Sequence, residues 1–146
     1  LNGTSLMQRM CSGFFPGSAV ALGDPDSADK VRRRWDAGCR FFITQPVFSM
    51  KTLERSAALL EEYPVLPAVM PFQNRYSAEY LASEVPGISI PDRVLAKVHE
   101  LDDCDVLSFS LDYLSRLIDG MRNMVSGVYM AGSRKGMMKL ADEWRE

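Results

Sequence analysis

Thr44-Gln45-Pro46 closes an apolar run, Phe41-Phe42-Ile43, that follows the turn signal Gly38. Such a run reads as a short strand buried on both faces, and Pro46 removes the next ladder donor. The Gln45 carboxamide is therefore expected at the carboxyl end of a strand, where α/β folds place their ligands. A carboxamide offers a heterocycle edge both a donor and an acceptor without introducing a charge. The alternative is that Gln45 only satisfies the strand terminus.

Three other groupings carry possible chemistry. Gly132-Ser133, followed by Arg134 and Lys135, puts free backbone N–H groups and two cations at the start of a helix. That arrangement favours an anion, and barrels often bind phosphate after their last strands; solvated basic residues on a glycine turn are the plainer account. The run His99-Glu100-Leu101-Asp102-Asp103-Cys104-Asp105 has metal-ligand residue types but reads as a solvated break before a helix started by Asp105. His99 is the sole histidine, which rules out a zinc site with several histidines. Asn74, Arg75 and Tyr76 are candidates for a ligand mouth, and the nine Met residues read as core filling.

With 146 residues, 47% hydrophobic and 25% charged, the chain is expected to form one soluble domain over residues 1–146. A net charge of -2 gives no sign of nucleic-acid binding. No apolar run reaches the roughly 20 residues that span a bilayer, and no signal peptide is evident. Cys11, Cys39 and Cys104, odd in number and far apart, read as reduced thiols of a cytoplasmic protein. The first residue is Leu1 and not Met, which suggests processing or a fragment.

The elements that must position these residues follow in order. Leu6, Met7 and Met10 give the tail of a helix, and Ser18 to Leu22 a short apolar strand. Gly23 to Ser27 is a connection rich in capping residues, leading into a helix to about Ala37. Val31 and Trp35 form its inner face, Asp29 stands four before Arg33, and Gly38 ends it. After the strand around Gln45 comes a helix from about Ser49 to Glu62, then a strand between Pro64 and Pro71. Helices from Ser77 to Glu84, from Ile90-Pro91, and from Val106 to about Met121 follow. A last strand, Ser126 to Ala131, leads into a helix ending near Trp144.

Apolar strands alternating with helices require a parallel sheet with helical cover. Four βα units in series make half of a TIM (β/α)8 barrel, and a half-barrel leaves two raw edges. The chain is therefore expected to continue, to pair with another copy, or to be an abbreviated fold. An open doubly wound sheet is the alternative.

Asp36-Ala37-Gly38, Phe42-Ile43-Thr44-Gln45-Pro46, Pro67-Ala68-Val69-Met70-Pro71, Ala78-Glu79-Tyr80-Leu81 and Glu84-Val85-Pro86-Gly87-Ile88 with Ile90-Pro91 stand in an ordered series. In that series the chain, from about Ser18 to Trp144, resembles the carboxyl-terminal half of methylenetetrahydrofolate reductase. It is most similar to the reductase half of bacterial proteins that join it to a homocysteine methyltransferase. The resemblance implies a TIM barrel of one-carbon metabolism and methionine biosynthesis. Such a barrel uses FAD and NAD(P)H to reduce 5,10-methylenetetrahydrofolate to 5-methyltetrahydrofolate. By position, it implies Gln45 and Leu81 as folate-binding residues. It implies Ala21, Asp26, Lys30, Arg33 and Arg34 as FAD-binding residues. No catalytic residue is implied, because the family's general acid and the aspartate beside its flavin belong to an amino-terminal half. Two further readings stand beside it: a barrel enzyme acting on a phosphorylated metabolite, and a noncatalytic half-barrel subunit.

Overall fold

A computed structural model of the protein describes residues 15–143. The helix expected at Leu6 to Met10, Cys11, and the Trp144 end of the closing helix lie outside the described residues. In chain order the elements are β1 (Gly17–Val20), α1 (Ser27–Asp36), β2 (Phe41–Pro46), α2 (Met50–Glu54), α3 (Ala57–Glu62) and β3 (Val65–Val69). Then come α4 (Arg75–Ser83), α5 (Asp92–Glu100), α6 (Val106–Met121), β4 (Tyr129–Met130) and α7 (Arg134–Glu143).

The four strands are parallel and lie in the order β1-β2-β3-β4. A doubly wound sheet reverses its strand order, because covering both faces needs crossovers in both directions. Here each crossover advances the same way, so right-handed connections carry the helices to one face. That is the winding of a TIM barrel, of which this chain supplies four βα units, and it rules out the doubly wound alternative.

The expectation that β2 is buried on both faces is corrected by its alternation. Phe42 and Thr44 are buried, whereas Phe41 and Ile43 are half-buried and Gln45 is exposed. The registers put Ala19, Ile43 and Leu66 in one row and Ser18, Phe42 and Val65 in another. The second row points to the helices. The first faces what would be a barrel interior, and among the described residues no helix covers it. Phe15, 70% exposed, stacks on Phe41 there with ring centroids 5.9 Å apart.

Several local expectations shift. The helix expected from Ser49 to Glu62 is broken at Arg55-Ser56, where Ser56 at φ −107° and ψ 13° leaves helical geometry. Asp29 pairs with Arg32 at 2.6 Å, three residues on, and meets Arg33 only through its backbone oxygen. Trp35 is half-buried, edge-on to Tyr63 at 5.5 Å with the Arg40 guanidinium 5.3 Å from its ring, so it borders the core instead of filling it. The last strand shortens to two residues; Gly127 in its expected first half has no side chain to pack.

Helix α6 does most to hold the carboxyl ends of the strands in place. Val106, Ser110, Leu111, Leu114, Leu117, Ile118 and Met121 are buried, a stripe at helical spacing. Two polar contacts extend from it. Ser110 accepts a hydrogen bond from the Phe72 N–H at 2.8 Å, and the Tyr113 hydroxyl donates to the Phe48 carbonyl. Burial pushes the Tyr113 phenol above its ordinary pKa, which keeps that donor proton in place. Phe48 and Phe72, leaving β2 and β3, stack on each other with centroids 4.9 Å apart. Ser110→Ala would strand a buried N–H and should lower unfolding free energy by about 1–3 kcal/mol in urea denaturation. A loss under about 0.5 kcal/mol would mean that Phe72 finds another acceptor.

Candidate functional site

Between β2 and β3 the register moves from Ile43↔Leu66 to Pro46↔Ala68, three residues on one strand against two on the other. The extra residue is a β-bulge, a device that re-aims a side chain. It leaves the buried Ala68 N–H without its ladder acceptor, and the Thr44 hydroxyl supplies one at 3.0 Å. The same hydroxyl donates to the Gln45 carbonyl at 2.6 Å. The ladder resumes as Val47 N–H bonds Ala68 O at 2.9 Å.

Gln45 thus emerges exposed at the carboxyl end of β2, with no hydrogen-bond partner for its carboxamide among the described residues. One wall is the loop after α4. Gly87, at φ +82°, comes so close that a Cβ there would stand 2.3 Å from Gln45 Oε1. Gln45, Pro46, Val47 and Phe48 line a cavity of about 190 Å³ with Leu22 and Gly23 of the β1 exit, Thr52 and Arg55 of the following helical segment, and Gly87 and Ser89. Beside it a depression of about 300 Å³ lies between the β1–α1 loop and α3, and Gly23 and Arg55 line both.

The remaining expected site residues fall in different places. Leu81 is 7% exposed and lines a separate apolar cleft of about 200 Å³ with Met70, Tyr76, Tyr80 and Ser133. The structure does not bring it into the Gln45 cavity. Ala21 is half-buried, its carbonyl accepting from the Ser27 hydroxyl. Asp26 precedes α1 but makes no side-chain cap; its N–H donates to Asp24 Oδ1 at 3.0 Å. Lys30 bonds Asp24 at 2.6 Å, and that ammonium holds the Asp24 carboxyl below its usual range. Arg33 Nε donates to the Asp29 backbone oxygen at 3.3 Å, and Arg34 donates to the Ala19 carbonyl. Ala21, Asp26, Lys30 and Arg34 therefore make contacts within the segment from Ala19 to Ser27, whereas Arg33 bonds only within α1.

The segment read as an anion nest is capped from within. Ser133 donates to Gln73 at 2.8 Å and accepts the Gly136 N–H at 3.3 Å. In the acidic run, Asp103 accepts the Arg75 N–H at 2.8 Å and Asp105 makes no side-chain cap. His99 meets Glu79 of α4 at 3.3 Å. Among the described residues no group of three His, Cys, Asp or Glu is placed to hold a metal ion. No helix among them is long and apolar enough to cross a membrane. Cys39 and Cys104 are free, and burial pushes the Cys39 thiol upward.

Sequence reasoning missed Thr44 as the bulge acceptor, Gly87 as the wall against Gln45, and Arg55. No sequence signal singled out Arg55: its neighbours three and four away, Lys51, Thr52, Ala58 and Leu59, include no acid, but the same holds for Arg34 and Arg93.

Two substitutions test how Gln45 is held. Thr44→Val keeps the shape but leaves the Ala68 N–H unmet, and should cost about 1–3 kcal/mol in chemical denaturation. Gly87→Ala meets both an unfavourable φ and the carboxamide, and should cost about 1–2 kcal/mol and shift the Gln45 side-chain NH₂ resonances. An unshifted Gln45 signal would show that the loop does not press on it.

The model of the family described as methylenetetrahydrofolate reductase matches residues 11–128. No curated protein matches the chain. Among solved structures, one is a Clostridium thermocellum protein described as uncharacterized and binding two copies of 5-methyl-5,6,7,8-tetrahydrofolic acid. It is similar with a TM-score of 0.67 at 14% identity, over 98% of this chain and 57% of that one. This chain thus spans little more than half the length of that structure. At such low identity the likeness speaks for the fold; the family match spans most of the sequence, and the chain belongs to the methylenetetrahydrofolate reductase family.

Proposed function

We propose that this chain is the folate- and FAD-binding, carboxyl-terminal portion of a flavin-dependent reductase that converts 5,10-methylenetetrahydrofolate to 5-methyltetrahydrofolate with NAD(P)H. The observation that carries the reading is the Gln45 carboxamide, solvent-facing at the mouth of β2 beside a bulge and without a hydrogen-bond partner among the described residues. Its Oε1 and Nε2 can meet an acceptor–donor edge such as that of a pterin. The folate named in the description of the Clostridium thermocellum structure agrees with this ligand class.

The β1 exit fits a flavin nucleotide in the chemistry of its donors. Gly23, φ +84°, would place a Cβ in open space, so the backbone of that exit loop is uncovered. Ala21, Asp26, Lys30, Arg33 and Arg34 are the residues proposed to hold FAD, the three cations answering its diphosphate. Bound FAD supplies the two-electron step by which the nicotinamide reduces the folate. Leu81 is proposed as a folate contact on the resemblance of its position alone, its apolar cleft being separate from the Gln45 cavity.

The proposal treats residues 1–146 as one domain of a cytoplasmic enzyme of one-carbon metabolism and methionine biosynthesis. The row Ala19, Ile43, Leu66, with Phe41 beside it, is then covered by an amino-terminal half-barrel or by a second copy. That same uncovered row also favours a second reading, a noncatalytic half-barrel subunit.

Gln45→Ala should weaken binding of 5-methyltetrahydrofolate to the full chain by about 1–3 kcal/mol in calorimetric titration. The unfolding midpoint should stay put, because the side chain is exposed and bonds nothing within the described protein. Unchanged affinity would remove Gln45 from the site.

A further inference from the structure

We propose that Arg55 receives the anionic arm of the ligand whose heterocyclic head meets Gln45, the two adjoining cavities forming one groove. The inference rests on the proposed reading of Gln45. Arg55 and Gly23 line both the 190 Å³ cavity and the 300 Å³ depression, so the spaces meet at those two residues. Arg55 carries the only positive charge in either lining, and the first lining contains no carboxylate.

The surroundings leave its guanidinium without an internal counter-ion. Asp24, the one acid in the depression, is already bonded to Lys30 at 2.6 Å. No hydrogen bond or ion pair ties the Arg55 side chain to any described residue. Nor do its helical neighbours offer an acid, as they do for Arg32 and Lys97. Arg55 stands where α2 gives way to α3, with Thr52 lining one cavity and Ser56 the other. A guanidinium among neutral lining residues suits an oxyanion fork, either a carboxylate or a phosphate. The ligand class is therefore elongated: a polar heterocycle at Gln45 joined to a carboxylate or phosphate at Arg55.

Calorimetric titration of the full chain with two matched pairs tests this and separates the two anions. The pairs are 5-methyltetrahydrofolate against a 5-methyltetrahydropterin lacking the glutamate tail, and FAD against riboflavin. Arg55→Gln should weaken the tailed folate about three- to tenfold and leave the tail-less pterin unchanged. Arg55→Glu should weaken the folate further, and added salt should narrow both differences. A loss confined to FAD, with riboflavin unaffected, would assign Arg55 to a phosphate and overturn its joining to the ligand at Gln45. Equal losses for both members of a pair, or no loss in either pair, would overturn it, as would failure of the wild-type chain to bind any of the four. Gln45→Ala serves as the separate control. If it changes neither pterin while Arg55→Gln still lowers the tailed ligand, the Gln45 reading fails and the Arg55 site stands.

Discussion

One buried hydroxyl reconciles two demands that otherwise conflict at the end of β2. A proline at position 46 cannot donate to a neighbouring strand, and a bulge leaves the facing Ala68 N–H orphaned. The Thr44 side chain, 7% exposed, answers the orphaned donor and bonds the backbone oxygen of Gln45. The consequence reaches beyond one hydrogen bond. The side chain after Thr44 continues the alternation of Phe41 and Ile43 and emerges into solvent at the strand's carboxyl end. The loop carrying Gly87 can then close against it only because that residue has no Cβ and tolerates φ +82°.

The framework around this mouth is rigid for a second reason. Ser110 and Tyr113, on one buried stripe of α6, reach the chain just beyond β3 and just beyond β2 respectively. Both exits are thereby fixed to the same helix, and the Phe48–Phe72 stack fills the space between them. A site built on strand ends held this way is more precise than one carried by free loops. The cost is a sheet whose two faces differ. Parallel sheets are normally apolar on both sides because both are covered, and here the Ala19–Ile43–Leu66 row keeps that composition without helical cover among the described residues.

That asymmetry explains what could be read from the sequence and what could not. Strand and helix identity follow periodicity, so the parallel α/β order and the Val106 to Met121 helix were legible residue by residue. The carboxyl-end position of Gln45 was legible too, from an apolar run stopping at a polar pair and a proline. Burial on both faces of β2 was misread, because composition records what a face is suited to and not what covers it. The bulge was invisible: it arises from how β2 and β3 pair, and nothing within Thr44-Gln45-Pro46 fixes the partner's register. Leu81 was read as a folate contact by analogy of position, and packing of α4 puts it in a cleft shared with Met70 and Tyr80.

Charge follows the same logic at longer range. The basic run Arg32-Arg33-Arg34 is conspicuous in sequence, yet a cluster of cations on one helix turn repels itself and recruits whatever oxygen is nearby. Arg32 takes the Asp29 carboxylate, Arg33 the Asp29 carbonyl and Arg34 the Ala19 carbonyl. Exposed pairs of this kind contribute little to stability, on the order of 1 kcal/mol or less, so an incoming diphosphate could replace the carbonyl partners at small cost. Arg55 differs in kind: among the described residues its side chain has no oxygen partner to release before binding. Of two cations equally near a ligand, the one already solvated and unpaired gains more from a new oxyanion, because no existing contact is lost.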